Sequence, residues 1–504
     1  MYKKLPPVAD NYLTNRVIKN VRVLSGNVGN AATIDLFKLY GISSSGSVPN
    51  TENSRALIKF DLSPLKSLMT ASKIDINDPS FNCQLHLFDV YGGQPNPVDF
   101  YLNVYPLSMS FDEGLGRDIV LYSDFDTSNW LSASRADGAW YVTGAGLGVA
   151  SWESGDYIDT LVDNGVSSSL LSTQHFSTGE EDMLVDVTTI VSATLAGLIP
   201  DEGFRISFTD AVETDQHTYF VKRFAARHAH DKSKHPRIEA RFDDSVIDDS
   251  TNLRLDTSSS LVLYNYDTQG LQNITSASVQ LSGSNVLQLR LSTPVSGGFY
   301  ELTFPASQVG IGHNQNLMLT GTYSASVYVP SGIQAVYDHV NLTGSVAFTP
   351  IWESLDGTIG YFTGSIATFY PSLRGGVNQA TRIYNVSVLN IPPNVVTSDV
   401  LTPRVFIFDD TSPMIKLVKT PTEIPGLTIH DVHYQIRDTS TNEKVVPFDT
   451  SRNSTRCSAD ENGMFFNLDA SVLTQGHMYK IDVLVVSNGE YRVYDDVSPM
   501  FRVV

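Results

Sequence analysis

Three histidines, His228, His230 and His235, fall within the stretch RFAARHAHDKSKHPRIEARFDD, Arg223 to Asp244. From Lys222 to Arg241 there are seven Lys and Arg and three His against Asp231 and Glu239, an excess of about five positive charges on a chain of formal net charge -20. Three readings fit this pattern. Imidazoles two residues apart on a strand face one side and could share an ion at His228, His230 and His235, but the spacing supplies no carboxylate to complete the set. The stretch also reads as the run into a half-buried strand, with Ile238, Ala240 and Phe242 inward, Arg237, Glu239 and Arg241 outward, and acidic loops pairing with the arginines. In the third reading Lys222, Arg223, Arg227, His228, His230, Lys232 and Lys234 dock on an acidic surface of a neighbouring subunit. The strand is the expected fold of the segment, docking its expected use, and no bound metal is expected.

A second group of side chains suits sugar chemistry. Trp130, Trp140, Tyr141 and Trp152 lie in one insertion, Arg117 to Gly179, rich in Ser, Gly and Asp. Aromatic faces stack on pyranose rings, so these four could form a glycan platform; equally, they could anchor a long insertion against a sheet. The carboxylate pairs Asp112 with Glu113 and Glu180 with Glu181 could serve a glycosidase, but acidic loops abound here, and no catalytic residue is assigned. No P-loop, Rossmann glycine pattern, HExxH, GxSxG or EF-hand loop occurs, so no cofactor is expected. GAGLG, Gly144 to Gly148, is a turn and not a phosphate cradle, because no helix opening with Lys or Ser/Thr follows it.

These side chains must be carried by strands. The chain has 504 residues, too many for one core, with 41% hydrophobic and only 17% charged residues. Short β-branched and aromatic runs recur between Gly, Ser, Asn and Pro turns, the composition of an all-β, multidomain protein of tandem β-sandwiches. The acidic balance argues against nucleic acid or an anionic membrane as partner, since both need broad positive surface. Cys83 and Cys457, far apart in sequence, suggest no disulfide framework. The N-terminal MYKKLPPVADNYLTNRVIKN has no apolar run behind its lysines, so no secretory signal is expected, and no apolar run of about 18 residues could span a membrane. Together these features suit an intracellular protein, or a virion part released by lysis.

Alternation of period two is clearest in RALIKFDL, where Ala56, Ile58, Phe60 and Leu62 share a face and Leu57 breaks the polar one. Ser63 and Pro64 look like the cap and first turn of a short helix. Further strands are expected over 84–91, 101–106, 205–209 and 237–242, and VTTIVSATLAGLIP is a helix with Ile190, Val191, Leu195 and Leu198 on one side. The acidic segment FDDSVIDDSTN reads as a domain boundary. Beyond it, residues 255–400 read as a second sandwich and 405–504 as an immunoglobulin-like one, the latter with the hairpin YKIDVLVVSNGEYRVY turning at Asn488-Gly489.

The succession RALIKFDLSPL, FDEGLGRD, MLVDVTTIVSATL, GFRISFTD and VKRFAARHAHDKSKHPRIEARF resembles the DNRLRE-type β-sandwich, a jelly-roll module similar to carbohydrate-binding modules, over residues 1–245. Phe111 stands where that family often has Trp, and His228 where Glu is usual. In style, IWESLDGTIGYFTGSIATFYP and GFYELTFPASQVG are similar to sandwiches of tailed-bacteriophage virions. The resemblance implies a non-enzymatic structural component of a tailed-phage virion, at the neck, collar, tail or capsid surface. It would be made in the host cytoplasm, homo-oligomeric within the particle and in contact with other virion proteins. The alternative is an adhesin recognising a host surface glycan through the insertion tryptophans.

Overall fold

The computed structural model describes residues 1–504 except 20, 43–48, 94–95, 118–126, 136–137, 147–169, 269, 296–297, 312–313, 372–382, 410–426 and 488. Strands dominate and helices are short, so the chain is an all-β, multidomain protein of β-sandwich architecture. It divides into two compact units: Lys3–Lys66 with Asn82–Ala240, and Met1–Tyr2 with Ser67–Phe81 and Arg241–Val504.

In the first of these units, the larger sheet runs in hydrogen-bonded order through Ser172–Phe176, Phe100–Pro106, Phe204–Phe208, Pro49–Phe60, Thr33–Ile42 and Tyr219–Ala225, with Pro7–Thr14 also paired to Pro49–Phe60. The smaller sheet runs through Tyr2–Leu5, Arg237–Arg241, Asn82–Leu87 and Met183–Asp186. Aromatic side chains fill the core: Phe100 stacks on Phe176 with centroids 5.0 Å apart and meets Phe208 edge-on at 5.3 Å.

Two expected strands are buried on both faces. Ala56, Ile58 and Phe60 are buried as the alternation requires, but so is Leu57, which packs in a cluster with Leu13, Leu107, Phe111, Trp130 and Trp140. The insertion therefore covers the face that alternation assigns to solvent. Arg237 and Glu239, expected outward, are also buried beside Ile238 and Ala240. They tolerate burial because they bond each other, Nε to Oε1 at 2.9 Å, while Arg237 lies 4.6 Å over the Phe88 ring.

The two expected helices depart little from expectation, and Asp210–Thr214 and Gln334–Thr343 are helices that were not expected. Ser63–Thr70 is helical, but Asp61 rather than Ser63 caps it, its carboxylate accepting the Ser63 N–H at 2.9 Å. Thr188–Leu195 is the second helix; it stops ahead of Gly197, which has φ +72°, so Leu198 is exposed rather than part of the buried face.

In the other unit, an antiparallel sheet orders Ser258–Tyr264, Asn314–Tyr328, Gly298–Ile311, Leu287–Val295, Val346–Glu353 and Gly360–Thr363, with Ala367–Phe369 paired to the start of Val346–Glu353. Two further sheets follow. One orders Tyr384–Leu389, Arg404–Asp409, Gly463–Phe465 and Ser458–Asp460; the other orders Asn394–Val395, Phe501–Val503, Met478–Ser487, Val432–Asp438 and Lys444–Val446. Tyr384–Leu389 pairs along its length with Arg404–Asp409, so it belongs to the last sandwich and not, as its position before residue 400 suggested, to the middle one. The hairpin is present: Ser487 pairs with Glu490, leaving a two-residue turn in which Gly489 has φ +80° and residue 488 lies outside the described residues.

The acidic segment expected as a boundary is built into this unit. Ala459 N–H donates to the Val246 carbonyl at 2.9 Å, Asp249 N–H to the Ser260 carbonyl at 2.8 Å, and Ser260 N–H returns to the Asp249 carboxylate at 2.8 Å. Asp243, Asp248 and Asp249 are buried, and the two units part just ahead of the segment.

Candidate functional site

The basic stretch separates into a paired base and a free tip. Lys222, on the strand Tyr219–Ala225, is fully buried: its ammonium pairs with Asp89 and donates to the carbonyls of Gly179 at 2.8 Å and Glu181 at 2.7 Å. Desolvation lowers its pKa, with Asp89 opposing. Lys222 is therefore withdrawn from any docking face, because its charge is already consumed inside the sandwich. Arg223 donates from Nε to both Asp35 oxygens at 3.1 Å.

Arg227 closes a denser knot. Its guanidinium pairs with Glu113 at 2.9 Å and reaches the Val8 carbonyl, while its backbone N–H donates to Asp10 at 2.6 Å. The Asp10 N–H donates in turn to Glu113 at 3.0 Å. Burial pushes the Asp10 carboxyl up to about 7, and the neighbouring Glu113 charge adds to that, although the Arg227 N–H opposes it. His228 lies 3.4 Å from Glu113. Of the acids that neutralise these arginines, only Glu113 lies in a loop, as expected; Asp35 sits opposite Arg223 on the strand Thr33–Ile42.

Past this knot the chain turns outward. His230, Lys232 and Lys234 are exposed and take no ion pair among the described residues. Lys232–Lys234 form one 3-10 turn, fixed by the Asp231 carboxylate accepting Ser233 N–H at 3.0 Å and its hydroxyl at 2.6 Å. The three imidazoles do not converge: His235 Nε2 donates to the Ala229 carbonyl at 2.8 Å, and no group of three His, Cys, Asp or Glu is placed to hold an ion among the described residues.

The tryptophan platform is not formed. Trp130 and Trp140 are buried, at 7% and 4% exposure. Trp140 Nε1 donates to the Asn129 carbonyl at 2.8 Å, and Arg55 lies 5.1 Å over the Trp130 ring. They anchor the insertion, the packing alternative for these rings. Gly144, at φ +75°, belongs to that anchor, since a Cβ there would meet the Trp130 ring at 2.8 Å. Of the four rings Tyr141 alone is exposed among the described residues, and Trp152 lies outside them.

A different site appears in the unit that holds Arg241–Val504. A cleft of about 400 Å³ lies beside the edge strands Ser258–Tyr264 and Gly360–Thr363 and the hairpin that turns at 461–462. Tyr264, Tyr266, Trp352 and Phe362 supply aromatic surface; Asp248, Ser365, Asp460 and Glu461 supply acceptors. The Tyr264 and Tyr266 rings stack with centroids 6.5 Å apart and planes 28° apart. Asp460 is held by Arg404 at 2.8 Å, and Glu461 accepts from Ser365 Oγ at 3.3 Å. Burial pushes the Asp248 carboxyl up to about 7, against the Ser250 N–H it accepts at 3.0 Å. The Tyr264 hydroxyl is buried without a hydrogen-bond partner among the described residues, and burial raises its pKa. Sequence reasoning missed this cleft because its lining comes from separate segments; its one local signal is the aromatic-rich IWESLDGTIGYFTGSIATFY.

No protein-family model matches the chain, and no curated protein matches it. Among solved structures it is similar to the D00-D0 domain of intimin, at 9% identity over 50% of this chain and 95% of that one, with a TM-score of 0.13. The FN1–FN3 domains of chicken CNTN1 align at 11% identity over 56% of this chain and 82% of that one, TM-score 0.13. Trypsin-activated α2-macroglobulin from Escherichia coli aligns at 10% identity over 98% of this chain and 31% of that one, TM-score 0.17. At such scores these likenesses add nothing to the fold read from the chain's own strands.

Proposed function

We propose that the chain is a non-enzymatic structural subunit of a tailed-phage virion that assembles through the faces and loops of its sandwiches. The observation that carries the reading is the exposed tip, where Lys232 and Lys234 bound a 3-10 turn and take no ion pair among the described residues, on a paired base in a chain of net charge -20. A fixed positive loop on an acidic protein is complementary to the acidic surface of a second copy or a similarly acidic neighbour, and such complementarity fixes register between repeating subunits. The virion setting rests on the resemblance of the first 245 residues and on the style of the later sandwiches. Lys232→Glu with Lys234→Glu tests the docking: it should block incorporation into particles while the isolated protein keeps its melting temperature. Normal incorporation of that double variant would remove the tip from the interface.

A further inference from the structure

We propose that the cleft beside Tyr264, Tyr266 and Phe362 is a binding site for a neutral saccharide, one hexopyranose unit of a glycan lying against the aromatic rings with its hydroxyls bonded by the acidic rim. This goes beyond the assembly role and does not depend on it.

The size fits first: about 400 Å³ lies within the range of small-molecule sites, roughly 300 to 1,000 Å³. Two of the aromatic groups lie open to solvent, and two stack on each other. Tyr266 and Phe362 are 68% and 50% exposed, and the planes of Tyr264 and Tyr266 differ by only 28°, whereas a cation is held by rings that surround it. A pyranose ring presents apolar C–H faces and a polar equator, which needs flat apolar surface on one side and hydrogen-bonding groups at its edge.

The rim supplies those groups, and its charge selects among ligands. Asp460 is neutralised by its pair with Arg404, and burial favours the uncharged form of Asp248. Glu461 remains, touching only the Ser365 hydroxyl among the described residues. The rim is thus rich in acceptors for hydroxyl hydrogens, and Glu461, which pairs with no cation among the described residues, disfavours anionic sugars.

Trp352 lines the cleft and provides a signal for the test. The full-length protein is titrated at neutral pH with neutral oligosaccharides of glucose, galactose, mannose and N-acetylglucosamine, followed by tryptophan fluorescence and calorimetry, with sialyllactose and choline as anionic and cationic probes. At least one neutral sugar should bind saturably, and Tyr266→Ala with Phe362→Ala should weaken it roughly tenfold or more without changing the melting temperature, since both rings are exposed. Sialyllactose and choline should bind more weakly than that sugar. The proposal is overturned if no neutral sugar binds, if choline or sialyllactose binds most tightly, or if the double variant binds as well as the parent.

Discussion

Arg227 and Glu113, 114 residues apart in sequence, form an ion pair of 2.9 Å that fixes the root of the basic loop, and Asp10 is bound into the same knot through the Arg227 N–H. The positive charge gathered between Lys222 and Arg241 is therefore divided. Its first members are paired within the sandwich, whereas Lys232 and Lys234 are exposed and take no ion pair among the described residues.

That division predicts opposite outcomes for charge reversal along one loop. Arg227→Glu places like charges beside Glu113 and Asp10 and should destabilise the protein by about 1–3 kcal/mol, a value for a half-exposed pair. Lys232→Glu with Lys234→Glu should stay within about 0.5 kcal/mol of the parent. Denaturant melts of the two variants compare the effects directly; equal destabilisation would contradict the division.

Lys222 offers a sharper case. Removing its ammonium with Lys222→Ala leaves Asp89 without its partner and two carbonyls without their donor, at a cost of about 3–5 kcal/mol. Thermal unfolding would show it. A small loss would mean that this ion pair is dispensable to the sandwich.

Trp140→Ala should cost about 3–5 kcal/mol, because it opens a cavity and orphans the Asn129 carbonyl, whereas Tyr141→Ala should change stability by less than about 0.5 kcal/mol. A sugar-binding surface tryptophan would show the reverse pattern, with stability unchanged on its removal.

Two buried carboxyls set a pH dependence. Asp10 and Asp248 are raised from 3.8 to about 7, so between these values the folded protein holds more protons than the unfolded chain. Stability from these groups is therefore highest below about pH 4 and declines as pH rises to about 7, each tenfold change in acidity corresponding to about 1.4 kcal/mol. Asp438 works the other way: burial raises it, but hydrogen bonds from Ser440 and His477 hold it at about 2, so its contribution is present above 3.8 and lost as pH falls toward 2. Melting temperatures between about pH 4 and 7 should fall with rising pH, and Asp10→Asn with Asp248→Asn should flatten that decline. An unchanged slope in the double variant would show that other groups set it.

Much of the fold was legible from local pattern. Many strands, the helices Ser63–Thr70 and Thr188–Leu195 and the last hairpin follow from alternation, helical spacing and turn residues, all of which act over a few positions; the helices Asp210–Thr214 and Gln334–Thr343 were not expected. What escaped depends on contacts distant in sequence. Leu57 interrupts a polar face because Trp130 and Trp140 cover it, and Arg237 with Glu239 is buried because the two satisfy each other. Tyr384–Leu389 looks like one more strand of the middle sheet until its partner, Arg404–Asp409, is known. At the site, residue type correctly marked a charged segment, but only the fold separates Lys222, spent on Asp89, from Lys232 and Lys234. The aromatic platform failed for a related reason: tryptophans in a long insertion serve packing first, and the accessible rings lie elsewhere, Phe362 on the edge strand Gly360–Thr363 and Tyr266 on a short strand paired with Gly270–Leu271.

Membership of a virion is tested most directly by quantitative mass spectrometry of purified phage particles from the lysate in which the chain is made. A structural subunit should be present at a fixed ratio to the other particle proteins. Its absence from washed particles, with the protein recovered free in the lysate, would contradict the assembly role.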